Sequence, residues 1–156
     1  MKLLLIAVGR TEEKELEILI DKYIKRINFY MPFKFETTPN IKKAKISEEN
    51  QKNIEADTLI KLLNPTDYVV LLDEKGDEYN SIDFSKFIQS KALSVSKRLV
   101  FIIGGPYGFS DKIYNLAKEK ISLSKMTLTH QMIRLLFTEQ VYRAMTILNN
   151  EPYHHQ

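Results

Sequence analysis

The sequence predicts a single α/β domain, residues 1–156, built on a mostly parallel sheet. Short apolar runs alternate with longer stretches of helical periodicity from one end of the chain to the other. Two of the runs, DYVVLLD at 67–73 and LVFII at 99–103, are continuously apolar, as strands covered on both faces of a parallel sheet are. No repeat, low-complexity segment or linker divides the 156 residues, a length that buries one core.

Taken in order, Lys2 to Val8 is an apolar, β-rich run that stops at Gly9 and reads as a buried strand. From Glu12 to Asn28, Leu16, Leu19, Ile20, Tyr23, Ile24 and Ile27 recur at helical spacing, so this segment is an amphipathic helix. MPFKFETTP alternates weakly and ends in Pro39, which places a second strand near a sheet edge. NIKKAKISEEN is polar and reads as a loop. Ser47 then caps a helix to about Leu63, with Ile54, Leu59, Ile60 and Leu63 expected on its buried side. After the strand 67–73, EKGDEYNS reads as a turn and Ser81 to about Ser90 as a short helix. The strand LVFII runs directly into GGPYGFS, and Ser110 is placed to cap a helix over DKIYNLAKEK. ISLSKM follows as a short strand or loop. The last helix, Thr129 to about Asn149, is apolar over most of its circumference, so a second subunit is expected to supply part of its cover.

Composition narrows the function classes. Hydrophobic residues at 44% and charged residues at 28% are globular values, and a net charge of +3 permits a local nucleic-acid contact without a general coating one. Without cysteine there is no disulfide and no thiolate metal site, which fits a reducing compartment. The opening LLLIAV is too short for a signal-peptide core, and no run approaches the roughly 20 apolar residues of a membrane span, so a cytoplasmic protein is expected.

Ligands of open α/β sheets bind beyond the carboxyl ends of the strands. Three segments occupy such positions: Leu72 with Asp73 and Glu74, the glycine turn Gly104, Gly105 and Gly108, and the loop SLSKMTLTHQMIR. A glycine turn lets a ligand approach the backbone, but it also serves plain connectivity. The loop can enclose an adenine with Leu123, Met126 and Leu128, or those side chains can simply fill the core. The dinucleotide fingerprint, the P-loop, H-E-x-x-H and G-x-S-x-G are all absent. The histidines are His130, His154 and His155, without metal-site spacing, so no metal is expected. Arg143 stands in an apolar surround, and Arg134 shares its helix; both are candidates for gripping phosphate or stabilising an anion. The readings open at this point are a catalytic domain, a non-catalytic RNA- or ribosome-binding module, and a nucleotide-binding enzyme of another chemistry.

IIGGPYGFS, SLSKMTLTHQMIRLLFTEQVYRAMTI and the terminal EPYH together resemble the ribosomal RNA large-subunit methyltransferase H family, of the SPOUT class. KLLLIAVG, YIKRI and VVLLDEKG fit the same pattern, so the resemblance spans the chain. It implies an α/β domain with a C-terminal trefoil knot, acting as a homodimer. The implied reaction is methyl transfer from S-adenosylmethionine to N3 of a pseudouridine in large-subunit RNA, on the ribosome. The implied cofactor pocket comprises Leu72, Gly104, Gly105, Leu123, Ser124, Lys125, Met126, Thr127 and Leu128. Arg143, Tyr153 and His154 are the implied catalytic residues, with Arg134, Arg143 and His154 on the RNA. Family members often carry proline where this chain has Thr129, which can cap the same helix start.

Overall fold

The structure, a computed structural model, describes residues 1–42, 45–95 and 97–155. The chain order is β1 (Lys2–Ala7), α1 (Lys14–Ile27), β2 (Phe33–Thr37), α2 (Glu48–Leu62), β3 (Tyr68–Glu78), α3 (Ser81–Ser94), β4 (Arg98–Ile103), α4 (Asp111–Leu116), β5 (Glu119–Ser122) and α5 (Met132–Leu148). The five strands form one parallel sheet in the order β2-β1-β4-β3-β5.

Strand side chains alternate between two cores, as the period of two requires. Leu3, Leu5, Val70, Leu72, Leu99, Phe101 and Ile103 meet α1, α3 and α5; Leu4, Ile6, Val69, Leu71, Val100 and Ile102 meet α2 and α4. The right-handed crossover rule accounts for this division. The steps β1 to β2 and β3 to β4 run one way across the sheet, and their helices lie on one face. The steps β2 to β3 and β4 to β5 run the other way, and their helices lie on the opposite face. At the centre of the first core, Phe101 and Phe137 are fully buried with ring centroids 4.7 Å apart. Truncating either to alanine costs about 3–5 kcal/mol.

Several elements differ from the sequence reading. β3 does not stop at Asp73: it continues through EKGDE to Glu78, with a register shift against β5 between Leu72 and Asp77. Gly76 makes this possible, because a Cβ there would lie 2.5 Å from the backbone nitrogen of Ile121. α2 is capped by Ser47, whose hydroxyl accepts from the Asn50 amide at 3.1 Å, but its buried face is Glu55, Ala56 and Leu59. Ile54 and Ile60 are 44% and 38% exposed, since at about 100° per residue they sit roughly 140° and 100° around the helix from Leu59. α4 ends at Leu116, so KEK does not belong to it; α3 runs on to Ser94. Of the polar loop 40–50, residues 43 and 44 lie outside the described residues, as does Gln156 at the tail.

α5 draws most of its cover from its own chain. Phe137, Val141, Ala144 and Met145 are buried in the first core, with α1 and α3 packed on either side, while Met132 and Leu136 remain 41% and 38% exposed. The helix ends in a Schellman motif. Asn150 takes the left-handed φ of 55°, its amide donates to the Ile147 carbonyl at 3.1 Å, and the Glu151 amide donates to the Thr146 carbonyl at 2.9 Å. This closure turns the terminal residues back along the helix.

Candidate functional site

The carboxyl ends of β4 and β5, with the irregular stretch of β3 after Leu72, open into a cavity of about 820 Å³, within the range of small-molecule sites. Leu72 and Ile103 form its floor. The glycine turn and the loop 122–131 form its walls.

Each wall has a local cause. Gly105 and Gly108 bracket a tight turn: the Gly108 amide donates to the Gly105 carbonyl at 3.1 Å, and Gly108 has φ +77°, which a side chain would strain. Gly104 lies under the Phe109 ring, so an added Cβ would stand 3.1 Å from that ring instead of projecting at a ligand. Phe109 meets Tyr114 edge-on at 5.8 Å, and the Tyr114 hydroxyl donates to Asp73 Oδ2 at 2.5 Å. Burial and this hydrogen bond push the Tyr114 hydroxyl up to about 12. The Lys75 amide holds the other carboxylate oxygen at 2.8 Å, so Asp73 is fixed in orientation at the cavity mouth.

The loop 122–131 is held at both ends. Near β5, the Ser122 hydroxyl donates to the Ser124 carbonyl and the Ser124 hydroxyl accepts from the Met126 amide, each at 2.9 Å. Near α5, Thr129 Oγ1 accepts from the Met132 amide at 3.1 Å, which caps the first turn. Gln131 accepts from the Glu12 amide at 2.9 Å and donates to the Arg10 carbonyl at 3.0 Å, tying the loop to the end of β1. These bonds leave the backbone edges of 123–128 beside the cavity.

Of the nine residues implied for a cofactor pocket, Leu72, Gly104, Gly105, Leu123, Ser124, Met126, Thr127 and Leu128 all line this one cavity. Lys125 belongs to the same loop, but its side chain is exposed and does not line it. The cavity also contains Asp73, His130 and Ile133, from the candidate segments beyond the strands, and Tyr114, which the sequence reading does not include. Tyr114 is brought in from 41 positions downstream of Asp73 by the β4 to β5 crossover.

Arg134 does not fit its expected task. It is fully buried, and its guanidinium donates to the carbonyls of Val8, Gly9 and His130 at 2.9 Å each and to Thr11 Oγ1 at 3.1 Å. With four of its five N–H groups bonded inside the fold and the side chain fully buried, it cannot reach a phosphate. Burial pulls its ionisation down to about 10, still far above neutrality. Its structural role is to satisfy the carbonyls at the end of β1, where no strand or helix partner is left to do so.

Arg143, Tyr153 and His154 do form a group, on the outer side of α5. Glu139 Oε1 accepts from Arg143 Nη2 at 2.6 Å, from Arg143 Nε at 3.1 Å and from the Tyr153 hydroxyl at 3.1 Å. Arg143 Nη1 lies 3.2 Å from His154 Nδ1. The Tyr153 ring packs against Tyr142 at 4.7 Å and beneath the Arg143 guanidinium at 4.7 Å. Burial, with Tyr23 and Glu139 beside it, raises the Tyr153 hydroxyl above its ordinary value; the bond to Glu139 likewise raises Arg143. None of these three residues lines the cavity. Among the described residues, no group of three or more histidine, aspartate or glutamate side chains could hold a metal ion, and no helix is long and apolar enough to cross a membrane.

The sequence model of the family described as "Predicted SPOUT methyltransferase" matches residues 1–154. The chain belongs to the SPOUT methyltransferase family. Relatives of this SPOUT methyltransferase from Parabacteroides distasonis and Phocaeicola vulgatus are each 55% identical over 157 residues, and one from Bacteroides fragilis is 54% identical. In all three the match covers 100% of both chains, and all three are named ribosomal RNA large subunit methyltransferase H. A solved structure of the SpoU methyltransferase AviRb from Streptomyces viridochromogenes, in complex with the cofactor AdoMet, is similar over 96% of this chain and 61% of that one, at 14% identity and a TM-score of 0.44.

Proposed function

We propose that this SPOUT methyltransferase transfers the methyl group of S-adenosylmethionine to N3 of a pseudouridine in large-subunit ribosomal RNA, working as a homodimer on assembled ribosomes in the cytoplasm. The observation that carries the reading is the cavity beside the ends of β4 and β5 and the irregular stretch of β3, which gathers all the implied pocket residues except Lys125. The residues fit a nucleoside-sized group: Leu72, Leu123, Leu128 and Ile133 offer an apolar slot, with the backbone of 123–128 along one edge. The return of residues 123–131 across the strand ends to β1 supports the trefoil knot that the resemblance implies.

S-adenosylmethionine supplies the activated methyl group, so the protein's work is alignment and control of charge. The tail group suits the charge that develops when N3 loses its proton. Arginine has no lone pair to accept with, so His154 Nδ1 must be the acceptor of the Arg143 contact. The neutral ring then carries its proton on Nε2. His154 and Arg143 both present donors, and donors stabilise the anionic ring rather than take up its proton. The group sits outside the cavity of its own chain, and a neighbouring partly exposed strip of α5 carries Met132 and Leu136. Both facts support a site completed by a second copy.

Radiolabelled methyl transfer to ribosomes lacking the modification, with the product nucleotide identified by mass spectrometry, tests the reading. The expected product is a single N3-methylated pseudouridine in the large-subunit RNA. Absence of any label in RNA, or label on a different atom, would overturn it.

A further inference from the structure

Glu55 is a buried acid that the proposed chemistry leaves unused. It lies on α2, on the face of the sheet opposite α5, and is only 6% exposed. Among the described residues its side-chain partner is Gln51, whose Nε2 donates to Oε1 at 3.1 Å. The carboxylate abuts the glycine turn from behind: a Cβ added to Gly105 would lie 2.7 Å from Oε1 and 2.9 Å from Oε2. Gly105 thus has the cavity on one side and a buried carboxylate on the other.

Nearby charged groups are arranged differently. On α2, Lys52 pairs with Glu49; between α2 and α4, Lys112 pairs with Asp57 at 3.3 Å, both ends exposed. Around the cavity, Asp73 is taken by Tyr114 and the Lys75 amide, His130 lines the wall from the loop 122–131, and Glu13, Glu74 and Lys75 are exposed at the rim, where solvent screens them. Of these acids, Glu55 is the one whose charge acts on the cavity through protein rather than water.

We propose that Glu55 makes the cavity charge-selective, favouring the cationic sulfonium of S-adenosylmethionine over the neutral thioether of S-adenosylhomocysteine. This rests on the cofactor reading above. The two ligands differ by one methyl group and one positive charge, so an apolar cavity alone separates them poorly. A buried negative charge behind the turn favours the reactant and eases release of the product. A unit charge about 10 Å from another, at an effective dielectric of about 20, changes affinity on the order of tenfold. Burial pushes the Glu55 carboxyl above the usual carboxylate range, partly offset by Gln51. The preference is therefore present only when Glu55 has ionised, and it grows as pH rises through that raised value.

Calorimetric binding of S-adenosylmethionine and S-adenosylhomocysteine without RNA, from pH 5 to 7, tests this on the intact chain and on Glu55→Gln. The wild-type preference for S-adenosylmethionine should rise with pH. Glu55→Gln should cut that preference about fivefold or more at pH 7, reduce its dependence on pH, and move S-adenosylhomocysteine affinity less than twofold. Equal losses for both ligands would make Glu55 a mere prop for the turn and overturn the proposal. So would a wild-type preference that ignores pH, a result that stands even if the variant fails to fold. A wild-type chain that binds neither ligand removes the cofactor reading itself.

Discussion

Replacing Arg134 with methionine separates a structural arginine from an RNA-binding one. Methionine fills similar volume without donors, so it leaves the carbonyls of Val8, Gly9 and His130 buried and unpaired. A hydrogen bond from a charged donor contributes about 1.5–3 kcal/mol, and an orphaned buried acceptor costs about 1–3 kcal/mol. Three such bonds sum to more than the net effect, because burying the guanidinium opposes them, as its lowered ionisation shows. A loss of about 3–5 kcal/mol is expected, at the upper end for single substitutions. In a domain of this length that is a fall in Tm of about 10 °C. Urea unfolding followed by circular dichroism, with calorimetry alongside, measures both. A variant within about 1 kcal/mol of wild type that loses salt-dependent ribosome binding would refute the structural assignment and return Arg134 to the phosphate role.

Other expectations follow from the same geometry. Arg143→Ala, and separately a chain ending at Pro152, should lose methyl transfer by at least tenfold while S-adenosylhomocysteine binding, read by calorimetry, stays within about twofold; loss of ligand binding as well would place the tail in the fold instead. Light scattering at micromolar concentration should give about twice the chain mass of 18.3 kDa, and Leu136→Glu should shift it towards one; an active wild-type monomer would exclude the shared site. Because Glu55 has a raised carboxyl, its neutral form favours the fold. The stability it provides is complete at low pH and lost as pH rises through the raised value. Glu55→Gln should therefore be more stable than wild type at pH 8, with the difference shrinking towards pH 4 in parallel denaturation series.

What could be read from the chain, and what could not, divides by range. β1, β3 and β4 announce themselves because parallel strands covered on both sides need unbroken apolar runs, as in VVLL and LVFII. The glycine turn and the 123–128 loop were legible from their resemblance to a family, and their common cavity then follows from β4 and β5 ending beside the register shift of β3. Arg134 was misread because an arginine on a helix looks the same in sequence whether it faces solvent or the carbonyls at the end of a strand 125 positions earlier. Glu55 and Tyr114 were missed for the same reason: their partners Gly105 and Asp73 reach them only through the crossover topology. The extension of β3 through EKGDE hid behind a composition that usually makes turns. The close of α5 did carry a local signal. Asn150 just beyond an apolar helical run marks the position where a left-handed residue ends a helix.

That ending makes α5 a ruler. Between Arg143 and the left-handed residue lie fewer than two turns of helix, and the tail leaves in a direction fixed by where the last turn stops. One residue inserted between them would advance the exit by about 1.5 Å and swing it by about 100°. Tyr153 would then leave the Arg143 guanidinium and Tyr142, and His154 would lose its contact at Nη1. The spacing from arginine to histidine is thus a length standard, in which many side chains are interchangeable and a single added or deleted residue is not.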